Sequence, residues 1–325
     1  MPRHAVIVGK FAPLHKGHQF LIETALAECD QVSLMVYANP DFADMPQTVR
    51  ANWIRHLYPQ LDVHEPANPP PDTADDFTHR EYVRGYLHAH AIPCTVVYTS
   101  ETYGEGFATH LGVEHRLVDI ARNRVPVSGT RIRSDIYKQR HFLSPVVYRH
   151  FIRTAVFMGA ESTGKSTLCA HMAGHLNTVF VPEYGREHYE KRGGILSLED
   201  YVQIAETHQS LEDEALMQAR DVLFIDTNAL TTLFFSYYYN GSALRTLHAI
   251  ADHCLMRYDH YLVCDTDIPF EQDGWRDTEV LREKSQRMIL MDLNNRGVSY
   301  RLVSGNMTAR TQIVMEVLRP CADNF

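Results

Sequence analysis

Between an apolar run, Thr154-Ala155-Val156-Phe157-Met158, and a helical pattern lies Gly159-Ala160-Glu161-Ser162-Thr163-Gly164-Lys165-Ser166. The spacing is GxxxxGK[ST], and a strand before it with a helix after it is the context in which that spacing cradles phosphate. The glycines let backbone N–H groups turn inward, the helix start adds positive potential, and Lys165 can reach the outer phosphate oxygens. Ser166 is placed to ligate Mg²⁺. Gly159, Glu161, Ser162, Thr163, Gly164, Ser166 and Thr167 are the expected nucleotide contacts. Such a loop needs a parallel sheet beneath it, which commits this part of the chain to an α/β fold.

The rest of the sequence agrees. Short β-rich runs alternate with longer helical patterns from residues 4–8, 17–28, 31–37 and 47–58 through to 311–318. That alternation predicts parallel sheets throughout. At 325 residues the chain has room for two domains. We place the boundary where a helical pattern begun near Thr130 gives way to Ser144-Pro145 and a short aromatic, basic segment, giving domains 1–148 and 149–325. The Pro-rich stretch 66–71 reads as a surface loop within the first domain.

The net charge of -9 is concentrated in the second half: residues 1–150 hold 15 basic and 16 acidic side chains, residues 151–325 hold 16 and 24. A chain so charged repels duplex nucleic acid over most of its surface, so phosphate must be met by local groups. Six scattered cysteines without a CxxC pair read as buried thiols in a reducing compartment, and no apolar run spans a bilayer. Neither a nucleic-acid nor a membrane partner is expected, and the location is expected to be cytoplasmic.

A second apolar run, 222–225, ends in Asp226, which a parallel strand would deliver to the same sheet edge as the phosphate loop. Asp226 can hold Mg²⁺ or take the proton of an attacking hydroxyl there, or merely cap the next helix. Glu183 and Arg186 in Pro182-Glu183-Tyr184-Gly185-Arg186 lie one turn apart, facing an acceptor pocket or forming a plain surface pair. A polar loop, Asp273-Gly274-Trp275-Arg276, precedes a helix bearing Arg282 and Arg287. It reads as a lid with arginines for phosphoryl charge, or as a solvated face.

The opening loop is built differently. Gly9-Lys10-Phe11-Ala12-Pro13-Leu14-His15-Lys16-Gly17-His18 follows the first strand, and it is not GxGxxG. His15 and His18 stand three apart at a helix start, where imidazoles can bond the oxygens of a triphosphate and Gly17 permits close approach. An HxxH pair alone can also be structural. Ser128-Gly129-Thr130-Arg131-Ile132-Arg133 opens another helix, with Thr130 and Arg133 on one face.

Gly9 to His18 with Ser128 to Arg133 resembles the GxFxPxHxGH and ISxTxxR-like signatures of the nucleotidyltransferase superfamily of adenylyltransferases, with Val127 where isoleucine is usual. Joined to GAESTGKST, PEYGRE and DTDIPFEQDG segments, the chain resembles the NadR-type bifunctional nicotinamide-nucleotide adenylyltransferases and ribosylnicotinamide kinases over nearly its whole length. Some members carry an N-terminal helix-turn-helix domain. The resemblance does not extend to it, so a repressor function is not expected.

The resemblance implies a Rossmann-like nucleotidyltransferase domain followed by a P-loop kinase domain. The first would join nicotinamide mononucleotide to ATP, giving NAD and pyrophosphate; the second would phosphorylate ribosylnicotinamide with ATP. Lys10, His15 and His18 would attend the triphosphate and the transition state, with Gly9, Phe11 and Gly17 beside them. Ser128, Thr130 and Arg133 would hold the ATP phosphates from the far side. Trp53 could stack on the nicotinamide ring with Arg50 near the mononucleotide phosphate, or pack in the core. Lys165, Ser166 and Asp226 would serve nucleotide and Mg²⁺, and Glu183 and Arg186 the riboside. A fused adenylyltransferase and kinase of the coenzyme A pathway, or a nucleotide-sensing regulator with little turnover, remain alternatives. A homo-oligomer is left open.

Overall fold

The computed structural model describes residues 2–270 and 279–319. The expected lid Asp273-Gly274-Trp275-Arg276, the end of the DTDIPFEQDG segment and Cys321 lie outside the described residues. The chain divides into two compact units, Met1–Tyr148 and Arg149–Phe325.

The first unit runs β1 (His4–Gly9), α1 (Lys16–Glu28), β2 (Gln31–Val36), α2 (Gln47–Leu57), β3 (Asp62–His64), α3 (Asp76–Ala89), β4 (Val96–Thr99), α4 (Gly104–Leu111) and β5 (Glu114–Leu117). Three short helices follow, α5 (Gly129–Ser134), α6 (Ile136–Gln139) and α7 (Pro145–Arg149). The strands pair in parallel in the order β3-β2-β1-β4-β5. The inner strands β1 and β4 are buried almost end to end, which is why they read as apolar runs rather than alternating ones. Val83 and Leu87, one turn apart on α3, pack on Val6, Met35 and Val97 of the sheet; each such burial contributes roughly 1.5–3 kcal/mol.

The helical pattern beginning near Thr130 is broken in two. Asp135 takes an extended φ of -162° and its carboxylate accepts from Lys138 N, so it ends α5 and starts α6.

In the second unit come β6 (Arg153–Met158), α8 (Lys165–His175), β7 (Phe180–Val181), α9 (Tyr184–Lys191), α10 (Leu198–Leu216), β8 (Val222–Asp226), α11 (Ala229–Asn240), α12 (Arg245–Cys254), β9 (His260–Cys264), α13 (Glu279–Asn295), β10 (Arg301–Val303) and α14 (Met307–Val317). This sheet is also parallel, in the order β10-β9-β6-β8-β7. Phe157, Phe224, Leu262 and Val303 from its strands pack on Leu168 and Met172 of α8 and Val314 of α14.

Strand order reverses beside β1 in one sheet and beside β6 in the other. The carboxyl end of the strand at such a reversal opens into a crevice. Both glycine-containing loops leave from those two ends. Among the described residues no helix is long and apolar enough to cross a membrane.

Two candidate nucleotide sites

At the β1 crevice lies a cavity of about 650 Å³, within the range of small-molecule sites. Gly9, Lys10, Phe11, His15, Gly17, His18, Ser128, Thr130 and Arg133, all expected from the sequence, line it. The two segments that carry them are locked together. A Cβ on Gly129 would fall 2.8 Å from the carbonyl oxygen of Ala12, and Arg133 donates to that same oxygen. Arg133 also donates to Thr130 Oγ1 at 3.2 Å, as the shared helix face anticipated.

The two histidines form a capping box. His15 Nδ1 accepts from His18 N at 3.3 Å, and His18 Nδ1 accepts from His15 N at 3.4 Å, while the rings stack at 3.7 Å. An Nδ1 that accepts carries no proton, so a neutral ring keeps its hydrogen on Nε2 as a donor. Burial, then Arg122, lowers His15 to about 4. Burial, then His15 and Arg122, holds His18 well below the usual imidazole range. Near neutrality both rings are therefore uncharged N–H donors, and the fixed positive charge comes from Lys10, Arg122 and Arg133. Phe11 is buried with φ +49° and meets the His18 ring edge-on at 5.0 Å.

Two of the expected substrate contacts of this half lie away from the cavity wall, Trp53 in the core-packing alternative. Arg50 is fully buried and absent from the cavity wall; its guanidinium donates to the carbonyls of Met45, Tyr37 and Lys10. It is a strut that holds the β1 and β2 loops: Nε and Nη1 serve the three carbonyls, while Nη2 is buried without a protein partner. Trp53, one turn on, is likewise buried in the core and outside the wall. Lys10 does reach the cavity, but its ammonium pairs with Asp72 at 2.5 Å.

Asp72 follows the Pro-rich stretch, whose Pro69 and Pro70 carbonyls accept from the Asn39 amide at 2.7 and 3.0 Å. The residue just after that surface loop, Asp72, thus lines the cavity. Other lining residues missed from the sequence are Tyr37, Asp76, His79 and Arg122. The segment Ser100-Glu101-Thr102-Tyr103-Gly104, which resembles the family's SSExYG segment and reads as a substrate-site element or a turn, places Ser100, Glu101 and Tyr103 in the wall.

In the second unit the phosphate loop has the expected backbone. Gly159 has φ +135° and a Cβ there would fall 2.7 Å from the Cys264 carbonyl oxygen; Ser162 and Gly164 also have positive φ. The loop is braced from three sides. Gln286 accepts from Ala160 N at 2.8 Å and donates to Cys264 O at 2.9 Å. Arg310 donates to Thr163 O at 2.6 Å, and Arg282 to Ser162 O at 3.4 Å.

Lys165 Nζ donates to Ala160 O at 2.7 Å, folded across the loop. Ser166 and Thr167 are exposed in the first turn of α8. Thr163 is buried, and its hydroxyl donates to Ala160 O at 2.8 Å. Its side chain is a brace rather than a nucleotide contact, because the hydroxyl turns into the loop. Glu161 lines a narrow cleft with Phe234, Phe235 and Phe270; the Phe-Phe-Ser-Tyr-Tyr-Tyr run of α11 was the unread signal.

Asp226 sits at the end of β8, paired in register with Phe157 of β6, and is 1% exposed with no protein partner for Oδ1. Glu183 is the N-cap residue of α9 and half-buried. Burial holds its carboxyl above the usual range, with Lys165 and Arg186 opposing and Asp226 reinforcing. Glu183 therefore shares one electrostatic neighbourhood with Lys165 and Asp226. Arg186 is exposed, and no ion pair joins it to Glu183. Of the two lid arginines, Arg282 is buried and donates to the Thr266 and Ile268 carbonyls, in neither expected role, whereas Arg287 is exposed near Glu283 in line with the solvated-face alternative.

Comparison with known proteins divides along the same two units. A family model described as AAA domain matches residues 154–310, and one described as citrate lyase ligase C-terminal domain matches residues 4–64. The trifunctional NAD biosynthesis/regulator protein NadR of Escherichia coli (strain K12) is 28% identical over 320 residues, covering 91% of this chain and 77% of the relative. A crystal structure of NadR in complex with NAD and AMP-PNP aligns over all of this chain and 98% of its own at 20% identity, TM-score 0.55. A second, of NadR in complex with NR, gives the same coverage and identity and TM-score 0.56. The resemblance to the NadR-type proteins extends across both units, and the solved structures share the fold.

Proposed function

From that resemblance as premise, we propose that this chain catalyses two ATP-dependent steps of NAD salvage: phosphorylation of ribosylnicotinamide in the second unit and adenylylation of nicotinamide mononucleotide in the first. The observation that carries the reading is the presence of two differently built anion cradles at the two sheet crevices. The relative solved with NAD and AMP-PNP, and with NR, supports the choice of substrates.

In the first unit a mononucleotide phosphate oxygen attacks the α-phosphorus of ATP, the new P–O bond forms in line, and pyrophosphate leaves. The attacking phosphate is already anionic, so no protein nucleophile is required; positioning and charge neutralisation remain. The Nε2 hydrogens of His15 and His18 donate to the triphosphate. Arg133 and Thr130 approach from α5, and Lys10 exchanges Asp72 for phosphate. Trp53 and Arg50 act indirectly, by packing and by holding the Lys10 carbonyl.

In the second unit Lys165 leaves the Ala160 carbonyl for the transferring phosphoryl group, and the loop N–H groups hold the inner phosphates. Asp226 accepts the proton of the riboside 5′-hydroxyl or orients it, with Glu183 and Arg186 at the acceptor. The exposed Ser166 hydroxyl and the unpartnered buried Asp226 oxygen suit a hard divalent cation, which binds few protein oxygens beside phosphate and water. Mg²⁺ bound there would neutralise phosphate charge. Among the described residues no cluster of three His, Cys, Asp or Glu could hold a metal without phosphate.

The test is a time course with ribosylnicotinamide and ATP, followed by chromatography. Mononucleotide should rise first and dinucleotide after it. Failure to convert nicotinamide mononucleotide, with adenylylation of phosphopantetheine instead, would refute the reading.

A further inference from the structure

Beneath the second site lies a buried polar group that the mechanism above does not use. His208 of α10 is 4% exposed, and its Nε2 lies 3.2 Å from the backbone carbonyl oxygen of Asp226 while Nδ1 lies 3.1 Å from Glu212 Oε1. A backbone carbonyl only accepts, so Nε2 donates to it, and Nδ1 faces the Glu212 carboxylate. Glu212 is equally buried, yet its carboxyl is held below the usual range: burial opposes ionisation but is outweighed by His208, Arg257 and Tyr258. Arg257 Nε donates to Glu212 Oε2 at 2.8 Å and Tyr258 to Oε1 at 2.6 Å.

What this group holds is strained. The residue after Asp226 is Thr227, buried, with φ +66°, a left-handed conformation that a β-branched residue avoids. Such outliers persist only where the surroundings over-determine them. Here Thr227 N donates to Phe157 O at 3.0 Å, Asn228 caps α11 by accepting from Leu230 N and Thr231 N, and His208 fixes the preceding carbonyl. Next to this bend the Asp226 carboxylate stands at the strand end with Oδ1 buried and free of protein partners.

We propose that His208, anchored by Glu212, is the positioning residue of the second site: it holds the 226–227 peptide in its strained form and so aims the Asp226 carboxylate at the reacting groups. This rests on the kinase reading of that unit. The phosphate loop is braced independently by Gln286, Arg282 and Arg310, so His208 governs the acceptor side and not nucleotide affinity.

The experiment compares wild type, His208→Ala, His208→Gln and the double variant His208→Ala with Thr227→Gly. His208→Ala should lower kcat for riboside phosphorylation about 10- to 100-fold, the scale of a misplacement near 1 Å. ATP affinity measured by calorimetry in chelator should stay within about twofold. His208→Gln, which keeps one donor, should fall between. Glycine at 227 adopts the left-handed form without strain, so the double variant should regain several-fold in kcat. An unchanged kcat in His208→Ala, or equal loss of ATP affinity and kcat, or no recovery with Thr227→Gly, would overturn the proposal. If His208→Ala melts before assay, His208→Gln alone and with Thr227→Gly carries the same comparison. A wild type without phosphorylating activity would instead refute the kinase reading itself.

Discussion

In the function proposed above, the two units solve one problem, holding a polyphosphate at the carboxyl end of a parallel strand, with opposite chemistry at the helix start. In the second, a lysine and a ring of N–H groups leave a permanent cation at the first turn of α8. In the first, two stacked imidazoles cap α1 with their Nδ1 atoms and present uncharged donors. A lysine cradle binds by charge; a histidine capping box binds by direction, and borrows its charge from arginines on other segments. Under this proposal each unit can be damaged without touching the chemistry of the other, and that separability is where the comparison is most exposed to test.

The largest effect should come from Lys165→Ala, which removes the fixed cation: riboside phosphorylation should fall by about three orders of magnitude while dinucleotide formation from mononucleotide persists. His18→Ala should do the reverse, lowering dinucleotide formation by about two orders while phosphorylation survives. Parallel loss of both activities in either variant would mean that the sites are not separate. Arg50→Met should destabilise the first unit by roughly 2 kcal/mol, read by denaturant melts, because three buried carbonyls lose their donor. If it instead raised KM for the mononucleotide with no change in stability, Arg50 would be a ligand contact after all.

The smallest effect is in pH. His15 has a folded value near 4 against an ordinary 6.5, so below 6.5 the unfolded chain binds the proton that the folded one refuses. Stability of the first unit should therefore fall as pH drops, by about 1 kcal/mol over the first unit below 6.5. His15→Gln should flatten that slope; a slope unaltered by the substitution would argue that the ring is not held neutral.

How far the sequence revealed these sites follows from the range of the interactions. Gly159 to Ser166 and Gly9 to His18 were legible because loop, helix start and side chains are contiguous, and the fold class followed from strand and helix periods that each unit repeats. Helix faces were less so. Arg50 and Trp53 share a helix with the expected spacing, but which face meets the sheet is decided by segments far along the chain. Lys10 finds Asp72 across 62 residues, and Ala160 finds Gln286 across 126. Thr163 lies inside a motif whose spacing was read correctly, yet its hydroxyl turns inward. His208 had no local signal at all, since its meaning depends on a carbonyl 18 residues away and on Tyr258 and Arg257 from beyond α12.

In the histidine capping box the atoms that begin α1 and the atoms that face the cavity belong to the same two rings. A phosphate drawing on one nitrogen of an imidazole makes the other a stronger acceptor, so occupancy is felt immediately at the amides of His15 and His18. Hydrogen exchange at those two backbone positions becomes a built-in gauge of whether this unit is loaded, read without any label and without waiting for turnover.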